Sequence, residues 1–238
     1  MSARRRERDH GRETDPTGRE AGESAATPEP AETAGLDRPM SLDEIRASYD
    51  EYADWLHRFE RIERLVTGRY RRERFGDVGG RVLDVACGTG TNAEYLPESV
   101  EYVGVDISGE MLAKARDRLD RLGIDGDLYR MDAQDLDFDD GAFDAVLSAL
   151  STCTFPDPVA ALGEMDRVRA PGGTIRLVEH GRSDVGIIAR YQDWRSDAHY
   201  ANAGCRWTQE PRRIVARAGL DPVDVTTGLF GTITTFEL

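Results

Sequence analysis

The chain has 238 residues, and 31 Lys plus Arg against 45 Asp plus Glu leave it at a formal net charge of −14. That length fits one large domain, or one domain with an appendage. No apolar run approaches the roughly 20 residues of a membrane helix, no basic segment leads into an apolar stretch as an export signal would, and the acidic balance disfavours a nucleic-acid binder, which needs clustered positive charge.

Residues 1–40 hold several Gly and Pro, nine acids, seven bases and almost no large apolar side chain. Such a segment buries too little to offset its ordering entropy and is predicted to be a disordered tail. From Ser41 the pattern turns helical: Leu42, Ile45, Tyr49, Tyr52, Trp55, Leu56 and Phe59 recur every three or four residues, with Ser41 as N-cap. A second helix is predicted over 61–75, so 41–78 reads as a helical extension. Beyond Gly79-Gly80, short apolar runs alternate with helical stretches. Strands are expected at 81–86, 101–106, 127–131, 142–148 and 173–179, with helices at 91–96, 109–122 and 158–168. This alternation means βαβ units and a parallel sheet covered on both faces. A last helix near 210–218 precedes runs at 223–227 and 232–236, which read as an antiparallel pair closing the sheet. The predicted fold is α/β: a doubly wound, Rossmann-like, mostly parallel seven-stranded sheet with an antiparallel last strand, over 41–238.

Lys114 stands alone against 30 arginines. Abundant acid with little lysine suits a cytoplasm of high ionic strength, where salt screens self-repulsion; a GC-rich codon bias gives the same composition. Cys87, Cys153 and Cys205 lie far apart and form no Cys-x-x-Cys pair, which fits a reducing, cytoplasmic compartment. His10, His57, His180 and His199 have no metal-ligand spacing among themselves or with the cysteines, so no metal site is expected.

The most informative stretch is Asp84-Val85-Ala86-Cys87-Gly88-Thr89-Gly90. A buried strand runs into a turn of small residues, where a ligand can meet backbone N–H groups without an intervening Cβ. The third glycine of the dinucleotide fingerprint would fall at Thr91 and is absent, which disfavours a nicotinamide oxidoreductase. Asp84, just before the loop, suits an ammonium or sulfonium better than a pyrophosphate. Asp106 ends the next strand, about 20 residues after the loop, where a carboxylate can accept from both ribose hydroxyls. Awaiting a ligand there, it is expected to have no folding partner.

With Asp106-Ile107-Ser108, Met111-Leu112, Met131-Asp132-Ala133, Phe143-Asp144-Ala145-Val146 and Arg169-Ala170-Pro171-Gly172-Gly173 in order, the chain resembles class I S-adenosylmethionine-dependent methyltransferases. The likeness extends to the branch that holds ubiquinone/menaquinone and phospholipid-headgroup methyltransferases. The resemblance implies S-adenosylmethionine as cofactor. It places Ala86, Cys87, Gly88 and Gly90 along the methionine moiety, Asp84 near its ammonium and Ser148 with its backbone there. It implies Asp106 at the ribose, Ile107 and Met111 on the adenine, Asp132 and Ala133 at the adenine amino group, and Tyr49 in an N-terminal lid. Ile107 and Met111 also fit a plain core role, Tyr49 a packing role, and Asp144 a turn-holding one. Ala86 stands where many members have glycine.

Methyl transfer from a sulfonium needs positioning first and a general base second. Candidate bases after the fifth strand are His180, Tyr191 and His199. The stretch after the fourth strand, Ser148-Ala149-Leu150-Ser151, lacks the Pro-Pro-aromatic signature of amino-methylating DNA enzymes. Cys153 follows Thr152 rather than the Pro of a cytosine C5 nucleophile. A small-molecule or lipid-like acceptor is therefore favoured and no DNA is expected; the alternatives are an RNA methyltransferase and a non-catalytic nucleotide-binding protein of the same fold.

Overall fold

The computed structural model describes residues 40–238; the expectation for the tail lies outside the described residues, as do the side chains of Tyr52, Trp55, Leu56 and Phe59. The chain opens with α1 (Leu42–Phe75), one helix of 34 residues where the sequence reading expects two. The expected break near residue 60 holds neither Gly nor Pro, so nothing there ends the helix. Ser41 caps it as expected: its hydroxyl accepts from the Glu44 N–H, and the Glu44 carboxylate accepts in return from the Ser41 N–H at 2.8 Å. Gly68 lies inside α1 because a Cβ there would sit 2.8 Å from the Tyr95 hydroxyl.

The sheet contains β1 (Arg81–Val85), β2 (Glu101–Asp106), β3 (Gly126–Arg130), β4 (Phe143–Ala149), β5 (Arg169–His180), β6 (Asp224–Gly228) and β7 (Ile233–Glu237). Their order is β3-β2-β1-β4-β5-β7-β6; β1 to β5 run parallel and β7 is antiparallel to both neighbours. Central positions such as Val82, Leu83, Val103, Val146, Leu147, Ile175 and Leu177 are fully buried, as a sheet covered on both faces requires. Between β1 and β2, Thr91–Tyr95 forms a 3-10 turn. The covering helices are α2 (Gly109–Leu122), α3 (Pro158–Val168), α4 (Gly186–Ala203) and α5 (Pro211–Arg217).

Two departures from the sequence reading matter. First, β5 begins four residues early, because Arg169 pairs with Phe143 before a register shift at the Pro171-Gly172 entry. Second, α4 has no counterpart among the helices expected from the sequence. It has no one-sided apolar stripe, and its N-cap, Val185, offers no capping side chain. Asp144 holds a turn, as its alternative reading has it: its carboxylate accepts from the Arg81 N–H at 2.8 Å. Chain order reverses between β1 and β4, so the ends of β1, β2, β3 and β4 open onto one crevice.

Candidate active site

A cavity of about 500 Å³ occupies that crevice, roofed by the N-terminal part of α1. Its floor is the loop after β1. The Cys87 N–H continues the ladder to the Val105 carbonyl at 2.9 Å, and Ala86, Gly88 and Gly90 around it all take positive φ. Nothing lies within 4 Å of where a Gly88 Cβ would stand, so its backbone faces open space. Ala86 sits at φ 53, where its side chain costs local strain that glycine would avoid. From α2, Arg118 braces the loop by donating to the Thr89 carbonyl at 2.9 Å.

Asp106 is 8% exposed and lines the cavity. Its two oxygens accept from the Gly88 N–H at 2.8 Å and the Ser108 N–H at 2.9 Å. The carboxylate therefore has folding partners, contrary to the sequence reading: it ties the glycine loop to the start of α2. Each oxygen keeps a second lone pair for a ligand. Burial pushes its carboxyl above the usual range, against the pull of those N–H groups. Ile107, Met111, Asp132 and Ala133 line the same end, with Asp132 accepting from the Gln134 N–H at 3.0 Å. Tyr49, Ala86 and Cys87 also reach the cavity. Burial holds the Tyr49 phenol well above its usual range, so it stays a donor.

Other expected residues lie elsewhere. Asp84 is fully buried off the cavity, accepting from Asn92 Nδ2 at 2.8 Å and the Tyr102 hydroxyl at 2.9 Å. Burial pushes its carboxyl up to about 6. Gly90 packs on α2, where a Cβ would come 3.3 Å from Ala115. Ser148 is sealed in, donating to the Val85 carbonyl at 2.8 Å, and Ala149, Leu150 and Ser151 line the cavity in its place. Tyr191 is 53% exposed on α4, beside Trp194 and Trp207. His180 does not line the cavity; its Nε2 lies 3.3 Å from the Cys205 sulfur. Neither of these two is placed to act as a base on a ligand in the cavity.

The sequence reading missed a polar chain at the opposite end. Glu63 and Arg71, both from α1, line the cavity with Asn92. Arg71 donates to Glu63 at 2.6 Å and to Asn92 Oδ1 at 2.8 Å, and Asn92 in turn donates to Asp84. An arginine eight residues after a glutamate on a long helix reads only as a solvated pair; the Asn92 contact, which the fold supplies, turns it inward.

A profile described as "Methyltransferase domain" matches residues 82–173. A phosphatidylethanolamine N-methyltransferase of Cereibacter sphaeroides is 32% identical over 199 residues, covering 77% of this chain and 94% of that protein. The chain belongs to the class I S-adenosylmethionine-dependent methyltransferases. A demethylmenaquinone methyltransferase of Thermus thermophilus is 44% identical over 102 residues, 42% of this methyltransferase and 46% of that one. Among solved structures, the complex of the Haloferax volcanii Trm112 methyltransferase activator with a methyltransferase matches with a TM-score of 0.64, 22% identity and coverage of 80% and 96%. The [4+2]-cyclase SpnF matches with a TM-score of 0.62, 24% identity and coverage of 81% and 77%. At those identities the likeness shows the fold alone, and a cyclase among the matches underlines that fold does not fix chemistry. The cofactor is S-adenosylmethionine, and the cavity suits it: an open backbone face at Gly88, a buried carboxylate at Asp106, an apolar slot at Ile107 and Met111, and charged groups at the other end.

Proposed function

We propose that this methyltransferase acts on a small apolar or lipid-like acceptor that enters between α1 and the loop after β4. The observation that carries the reading is the lining there: Leu42, Ile45, Ile62, Leu150, Phe155 and Pro156. An apolar mouth takes up the apolar part of such an acceptor at little desolvation cost. The arginines support the same reading. Among the described arginines, Arg74, Arg81, Arg167, Arg169, Arg176 and Arg182 are each paired with a carboxylate. The similar enzymes named above act on phosphatidylethanolamine and demethylmenaquinone, acceptors of this chemical kind. Exposed apolar side chains lie outside the cavity too: Ile187 and Trp194 on α4, and Leu229-Phe230 at the β6–β7 turn, both with positive φ. Bulky residues in that strained conformation, aimed at solvent, suit contact with a lipid phase.

In this reading Asp106 accepts from the ribose, Asp132 and the Ala133 backbone take the adenine amino group, and the Gly88 backbone borders the methionine part. Arg71 meets its carboxylate and Glu63 its ammonium. Tyr49 and α1 cover the pocket. The bound cofactor supplies a methyl already activated on a sulfonium. The protein's share is then alignment and exclusion of water.

Incubation with S-adenosylmethionine carrying a labelled methyl, separately with a lipid extract and with total RNA, tests the reading. Label is expected in the organic phase of the lipid reaction. Label in RNA, with none in lipid, would overturn it.

A further inference from the structure

Behind the cavity wall, three segments that are distant in sequence bring their soft side chains to one point. Cys153 comes from the loop after β4, His180 ends β5, and Cys205 follows α4. Their ligand atoms all lie within 4.8 Å of one another. The Cys205 sulfur stands 3.3 Å from the Cys153 sulfur and 3.3 Å from His180 Nε2. All three cysteines are free thiols, and Cys153 and Cys205 are buried.

We propose that Cys153, His180 and Cys205 form a three-ligand site for a soft divalent transition ion such as Zn²⁺, with water in the fourth position. The donor set is the first argument: two thiolates and one imidazole are what a tetrahedral zinc with a water in its fourth position takes. Geometry is the second. Zinc–sulfur bonds of about 2.3 Å and zinc–nitrogen bonds of about 2.0–2.1 Å place tetrahedral donors roughly 3.5–3.8 Å apart. The observed 3.3 Å separations need to open by only a few tenths of an ångström.

The third argument is the surrounding scaffold. Arg206 donates its backbone N–H to the Cys153 carbonyl at 3.0 Å and its guanidinium to the Phe155 carbonyl at 2.7 Å. Gln209 Nε2 donates to the His180 carbonyl at 2.9 Å and to the Thr152 hydroxyl at 3.1 Å. The three ligand-bearing segments are thus fixed to one another by groups next to the ligands, as outer contacts fix metal ligands elsewhere. His180 Nδ1, by contrast, has no hydrogen-bond partner among the described residues, so the ring's polar contact is the Cys205 thiol. A bound ion would join the β4 loop, the β5 end and the α4–α5 loop behind Ser151 and Thr154, which line the cavity. Its role would be to hold that wall.

The test uses the full chain, stripped with a chelator, reduced with a phosphine, and titrated with Co²⁺. One equivalent is expected to give thiolate-to-cobalt charge-transfer absorption and the visible bands of a tetrahedral ion, both removed by one equivalent of Zn²⁺. Cys153→Ser, His180→Ala and Cys205→Ser should each weaken Co²⁺ binding at least tenfold. Cys87→Ser, outside the cluster, should leave the bands intact. The wild-type titration does not depend on any variant folding. Absence of the bands from folded wild-type protein would overturn the proposal, as would their survival in Cys205→Ser. Loss of two thiols per chain under mild oxidation, unaltered by Zn²⁺, would instead identify a redox pair and equally overturn it. Cofactor binding measured on the same samples keeps this outcome separate from the proposed function.

Discussion

At the floor of the cavity Asp106 meets N–H groups two and 18 residues away, at Ser108 and Gly88. Behind the far wall, Cys205 meets His180 across 25 residues and Cys153 across 52. The floor is made by one strand–loop–strand unit whose contacts are nearly local. The wall is assembled from a loop after β4, the end of β5 and the segment after α4, which only the completed sheet brings together. A ligand site can therefore be half motif and half topology. The motif half is carried by local sequence, and the topological half is free to vary with the elements that build it.

The largest effect that would sharpen this comparison concerns Asp84, on the floor side. Its folded carboxyl is raised to about 6 by burial, above an unfolded value near 3.9. The folded state therefore favours the protonated acid. That contribution is fully present below about pH 4 and is lost as pH rises through about 6, amounting to roughly 3 kcal/mol at about 1.4 kcal/mol per unit. Denaturant unfolding at pH 4 and pH 7 should show wild-type protein losing about that much more stability than Asp84→Asn over the interval. Equal slopes would mean that Asp84 reaches water, and the floor would be looser than described.

Ala86 offers a smaller effect. Its φ of 53 costs about 1–2 kcal/mol for a side chain, while glycine raises the entropy of the unfolded chain by about 0.4–1 kcal/mol. Ala86→Gly should therefore leave stability unchanged or raise it by up to about 1 kcal/mol in thermal unfolding. A clear loss would show that the methyl group packs rather than strains.

These two residues also mark how far the sequence could be read. The small-residue loop, Asp106 and the later motifs were legible because each lies within a few residues of a strand end, and the strands announced themselves by short apolar runs. Asp84 was legible as an acid but not as a sealed one, since its closure depends on Asn92 and Tyr102 folding over it. The long α1 is legible as a single helix, since Phe59, Ile62, Leu65, Val66 and Tyr70 carry the helical spacing through the expected break, which holds neither Gly nor Pro. α4 escaped notice because its apolar residues lie partly on the exposed side: Ile187 and Trp194 are 78% and 75% exposed. The Cys153–His180–Cys205 cluster had no spacing signal at all, as its members meet only through the β4–β5 pairing and the return of the chain after α4. His180 and Tyr191 follow the fifth strand, and position along the chain says nothing about which way a side chain turns.

The central claim is that Asp106 both ties the glycine loop to α2 and holds the ribose of the cofactor. Replacement alone mixes the two roles, because Asp106→Asn weakens the bonds to Gly88 and Ser108 as well. Calorimetry of wild type and Asp106→Asn with S-adenosylhomocysteine and with its 2′-deoxy analogue separates them as a double-mutant cycle. A hydrogen bond from a hydroxyl to a charged acceptor contributes about 1.5–3 kcal/mol. The account predicts that removing the hydroxyl weakens binding to wild type at least tenfold and to the variant far less. Equal losses in both proteins would contradict it and leave Asp106 as a structural tie alone.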